Sequence, residues 1–91
     1  MDRKNWSAKL GDAIDLQDAA VPGLPVIEIV GNIRVLMEHH CGVTEYGNKR
    51  IVVKMKKNMV AVDGDCLELT KMTSDQLIIT GTIYGVSLFG R

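Results

Sequence analysis

Ninety-one residues leave room for one domain with a single modest core, and a chain of this size buries roughly 60–65% of the surface its unfolded form exposes. Hydrophobic residues make up 46% and charged residues 24%, a globular balance that excludes a wholly disordered chain. Eleven Lys and Arg balance eleven Asp and Glu, so no global field draws the domain to nucleic acid or an anionic membrane, and 4% aromatic residues are too few for a base-stacking platform.

Met1 is followed by Asp2, Arg3, Lys4 and Asn5 with no apolar h-region behind them, so no signal peptide is expected. Cys41 and Cys66 are then expected as free thiols in a reducing cytosol. No apolar run approaches the ~18 residues of a membrane helix, and the expectation is a soluble protein. Trp6, Leu10, Ala13, Ile14 and Gln17 recur at helical spacing and predict a short amphipathic helix over Asn5–Gln17. Gly11 weakens it by ~1 kcal/mol relative to Ala, and a lone helix of this length is marginal. It must dock on something, whether the end of the core, a partner or a membrane surface. Pro22 and Pro25 end the helix and start an extended segment, dividing the chain into a helix and linker at 1–23 and a β domain at 24–91.

From Val26 the period changes to that of strands. Val26–Val30 and Ile33–Glu38 predict a hairpin around a two-residue turn at Gly31-Asn32, both residues supplying positive φ. After Gly42, Val43–Tyr46 meets a turn at Gly47-Asn48. Arg50–Lys56 then alternates Ile51, Val53 and Met55 against Val52, Lys54 and Lys56, the pattern of a half-buried strand. Lys57-Asn58 turns it, Met59–Val62 returns, Asp63-Gly64 turns again, and Cys66–Thr70 sets Leu67 and Leu69 against Glu68 and Thr70. Lys71–Gln76 reads as a polar turn, and Leu77–Thr80 and Ile83–Phe89 flank a last one at Gly81-Thr82. About seven short strands with turn signals between them predict a mainly β fold, a small antiparallel β-sandwich or barrel-like domain with a short N-terminal helix. The final strand carries Ile83, Tyr84, Val86, Leu88 and Phe89 on both faces, more than a one-sided strand needs. A homo-oligomer is therefore expected, with Trp6, Leu10, Ile14, Tyr84, Leu88 and Phe89 as the candidate interaction surface.

The stretch Met37–Val43, MEHHCGV, gathers residues able to do chemistry. In a strand successive side chains point to opposite faces, which sets His39 and Cys41 on one face and Glu38 and His40 on the other. On that reading the four do not converge, the histidines are half-exposed, Cys41 is a small, partly buried apolar residue, and Gly42 lets the chain bend. Neither paired Cys nor paired His spacing of a zinc site is present, and no oxyanion loop accompanies a nucleophile, so neither metal ligands nor catalytic residues are assigned. A metal-dependent or Cys/His-based enzyme centred on His39, His40 and Cys41 stands as the alternative. Asp63-Gly64-Asp65 lacks the further oxygen ligands of a calcium loop and reads as a turn. The basic run Lys54–Lys57 reads as solvated edge protection, with an acidic partner or membrane surface as the sharper alternative.

Beyond single motifs, the order of LPVIEIVGN at 24–32, RVLMEHHCGV at 34–43, VAVDGDCLELTKMTSDQLIITGTI at 60–83 and the closing apolar strand resembles the YabP/YqfC family of bacterial sporulation proteins, the YqfC branch in particular. The resemblance implies a small β-sandwich made in the mother cell of an endospore-forming bacterium. It implies no enzymatic reaction, and hence no cofactor and no small-molecule substrate. It also points to another sporulation protein as partner, those of the mother-cell membrane first, with the domain cytoplasmic or peripheral to that membrane. The Asp pair flanking Gly64 departs from the plain turn of relatives.

Overall fold

The structure, a computed structural model, describes residues 25–90. The expected helix over Asn5–Gln17, with Trp6, Leu10 and Ile14, lies outside the described residues. Six strands follow: β1 (Val26–Val30), β2 (Arg34–Glu38), β3 (Val43–Tyr46), β4 (Arg50–Lys54), β5 (Asn58–Met72) and β6 (Gln76–Gly90). All pair antiparallel in one sheet of order β1-β2-β6-β5-β4-β3.

The mainly β, antiparallel expectation holds, but seven short strands do not. β5 and β6 are each 15 residues long and run the length of the domain side by side. Asp63-Gly64 and Gly81-Thr82, read as turns, lie inside these strands. The reason is steric: a Cβ on Gly64 would sit 1.9 Å from the Thr82 carbonyl oxygen, and one on Gly81 2.7 Å from that of Cys66. Glycine is there for close approach of two backbones rather than for chain reversal.

The register between β5 and β6 slips at three places. Tyr84 has no partner between the pairs Asp63↔Gly85 and Gly64↔Ile83, and Cys66 and Leu67 face Gly81 alone. Thr70 is likewise extra between Glu68–Leu69 and Lys71. Such bulges bend a strand and deepen its twist. Cys66 (φ 54) and Gly81 (φ 138) both take positive φ at the middle one.

The bulges let one sheet enclose its own core. The first half of β6 carries β2 and, through it, β1, whereas the first half of β5 carries β4 and, through it, β3. Val35 and Met37 of β2 and Leu77 and Ile79 of β6 nevertheless share one buried cluster with Ile51 and Val53 of β4 and Val60 and Val62 of β5. A single hydrogen-bonded six-stranded sheet, bulged between β5 and β6, thus supplies one core from both of its ends. Ile51, Val53 and Met55 are buried as their alternation predicts, and so is Leu67, with Leu69 packed beside them. Val52 and its register partner Ala61 are buried as well, outside that cluster.

At the β1–β2 connection the loop has three residues, Gly31 to Ile33, closed by the Ile33 N–H donating to the Val30 carbonyl at 3.2 Å. Only Gly31 takes a positive φ, so Asn32 is not part of a primed turn and Ile33 is an exposed loop residue. The same loop continues along β6, Gly81 and Ile83 donating to Ile33 and Asn32. Beyond Ile83, among the described residues, that side of β6 has no neighbouring strand.

Candidate functional site

The MEHHCGV stretch departs from strand geometry at its third residue. β2 stops at Glu38, and His39 adopts φ 62, a left-handed conformation uncommon outside glycine. Alternation fails there, and with it the expected division into two faces. Glu38 and His39 come together, joined by Asp75 from the β5–β6 turn, one ligand-type atom of each lying within 4.8 Å of the others. The His39 N–H donates to the Asp75 carbonyl at 2.7 Å, and its ring Nδ1 stands 2.8 Å from Asp75 Oδ1.

His40 turns inward instead and is only 8% exposed, a correction to the half-exposed expectation. The Gly42 N–H donates to His40 Nδ1 at 3.0 Å, so the ring proton sits on Nε2, which donates to the Thr73 carbonyl at 2.8 Å. Both ring nitrogens are thereby used in stapling the β2–β3 connection to the β5–β6 turn. Gly42, at φ 118, bends the chain as expected and returns Val43 to the core's margin. Cys41, expected to be partly buried, is exposed, as is Cys66, and both thiols are free. Among the described residues neither cysteine nor His40 joins a cluster of three metal-ligating groups, so the trio His39, His40 and Cys41 is not assembled.

A second polar cluster forms between the first two bulges. Tyr84, the unpaired residue of β6, donates its hydroxyl to Asp65 Oδ2, and Lys49 donates to Asp65 Oδ1 at 3.0 Å. These bonds hold the Asp65 carboxyl below its ordinary value, the Tyr84 bond acting most and the Lys49 bond next. They raise the Tyr84 phenol and the Lys49 amine, in each case through the hydrogen bond to Asp65 first. Alongside, Arg50 donates to Asp63 Oδ1 at 3.1 Å. The Asp pair flanking Gly64 thus anchors bulge-side cations rather than decorating a loop tip.

The third feature is apolar. Leu88 pairs with Val60 and Val86 with Val62, so both belong on the core-facing side of β6. Val60 and Val62 are fully buried, yet Leu88 is 59% exposed. Phe89, on the other face, is 42% exposed and Tyr84 69%. Tyr84, Leu88 and Phe89 therefore share an edge of the sheet and not one face of it. Trp6, Leu10 and Ile14, the other candidate interaction residues, lie outside the described residues.

The open sides of the sheet differ in character. β1 carries Glu28, β3 carries Glu45 beside a register shift, and the last part of β5 carries Glu68 and Lys71. Tyr84–Gly90 holds no charged residue and no proline. Charges, bulges and prolines are the usual means by which an edge is kept from pairing with another chain.

Sequence reasoning missed Asp75 because its partner His39 is 36 positions away, and only the pairing of Glu38 with Gln76 brings the two segments level. It also missed Asp65 as the shared acceptor of Tyr84 and Lys49, since the Asp63-Gly64-Asp65 triplet has the composition of a turn. Among the described residues no helix is long and apolar enough to cross a membrane. Compared with known proteins, the model of the YabP family matches residues 24–90. No curated protein and no solved structure matches the chain.

Proposed function

The chain belongs to the YabP family, and on that premise we propose that it is a non-enzymatic sporulation protein, a small β interaction module acting in the mother cell. Family membership supports the sporulation role. The observation that supports the interaction role is the β6 edge, where Leu88 faces the core side and stays 59% exposed because no strand of the opposite half reaches over it.

A second copy of the chain fits that edge best. Two β6 edges pair antiparallel about a two-fold axis, each satisfying the other's free N–H and C=O groups. Leu88 and Val86 of both copies then close one continuous core. A further sporulation protein docking on the same edge, or on the outer face at Phe89, is the other use such a surface has.

The experiment is genetic. In an endospore-forming host that carries this chain, the variant Leu88→Lys at normal protein level should lower the yield of heat-resistant spores as far as deletion does. Full spore yield with Leu88→Lys overturns the interaction reading, and full yield on deletion overturns the sporulation role itself.

A further inference from the structure

The Glu38–His39–Asp75 cluster does not need the β6 edge, and its geometry carries a separate conclusion. A left-handed conformation is unfavourable for histidine and persists only where its surroundings fix it. Here the fixing is dense. The backbone and the ring of His39 both bind Asp75, at 2.7 and 2.8 Å. Asp75 in turn sits in a turn held by Thr73, whose Oγ1 accepts from the N–H groups of Asp75 (3.3 Å) and Gln76 (2.9 Å). The Thr73 N–H donates to the Gln76 carbonyl at 2.7 Å, and the Thr73 carbonyl is held by the buried ring of His40. The backbone under all three side chains is fixed, whereas the side chains themselves reach solvent, 39% exposed for His39 and 57% for Asp75.

We propose that Glu38, His39 and Asp75 form a binding site for a divalent transition-metal ion of the Zn2+ class. One imidazole and two carboxylates are a donor set that suits such ions, and the two carboxylates balance the charge of the dication. Metal–ligand bonds of about 2.0–2.2 Å place neighbouring ligand atoms about 3.5 Å apart. The three atoms lie within 4.8 Å of one another, so rotation of exposed side chains by about an ångström completes the set. Three protein ligands leave the remaining positions to water, so the site is open and exchangeable rather than closed and structural.

The test is a Zn2+ titration of the full chain followed by the ring 1H–15N signals of its two histidines. His39 should shift to saturation at one equivalent, while His40, with both nitrogens engaged, stays in place. His39→Asn should abolish the binding and keep the fold, since Asn also tolerates left-handed φ. Glu38→Gln and Asp75→Asn should each weaken it at least tenfold, and Cys41→Ser and Cys66→Ser should leave it unchanged. A His39 ring that does not respond at millimolar Zn2+ overturns the proposal, as does binding that survives His39→Asn or is lost with either cysteine. None of these readouts depends on spore yield or on self-association.

Discussion

Tyr84 is the one residue of β6 with a cross-strand slot to itself, and its hydroxyl spends that freedom on Asp65. The consequence is a pH-dependent contribution with two limits. Asp65 is depressed from its ordinary value of 3.8, so its share of stability is present above 3.8 and is lost as the pH falls through the lower folded value. Tyr84 and Lys49 are raised from 10.0 and 10.5, so theirs is present below those values and is lost as the pH rises through the higher folded ones. All three groups face water, which keeps the effect small. Thermal unfolding of wild type and Tyr84→Phe across pH should give a difference that is flat between about pH 5 and 9 and shrinks below 3.8 and above 10.0. A difference that stays constant into acid and base contradicts the pairing.

β5 and β6 were where strand patterning misled, and the reason is that glycine serves two purposes. Asp63-Gly64 and Gly81-Thr82 have the residue types of hairpin turns, and nothing local to them distinguishes reversal from close approach. Only the tertiary contact decides: Gly64 and Gly81 each lie against backbone of the other strand. Similarly, alternation places Ile51 and Val53 correctly because β4 is regular, but it does not carry past Glu38, where His39 turns left-handed. Histidine takes that conformation too rarely for the sequence to announce it. If the bend is made by the bulge, Gly81→Ala should destabilise the domain by about 2–3 kcal/mol or more, through strain at φ 138 and the clash with Cys66. Gly85→Ala, four residues on and with nothing within 4 Å of the added Cβ, should change stability by no more than about 0.5 kcal/mol. Urea unfolding midpoints measure both, and equal effects at the two glycines would contradict a bend centred on Gly81.

At the level of the whole molecule, one sheet wraps its own core and leaves that core unfinished along the second half of β6. The excess of apolar residues in this strand was legible in the sequence, because Tyr84, Leu88 and Phe89 exceed what one face can bury. The missing neighbour was not legible, because it follows from β2 ending its pairing at Thr80 and its loop at Ile83. Self-pairing of β6 is the centre of the functional reading, and sedimentation equilibrium of the full chain tests it most directly. Wild type should show a concentration-dependent dimer, and Leu88→Lys should sediment as a monomer with unchanged circular dichroism, since Leu88 is already exposed in the single copy. A wild-type monomer at millimolar concentration, or a dimer that persists in Leu88→Lys, would contradict it.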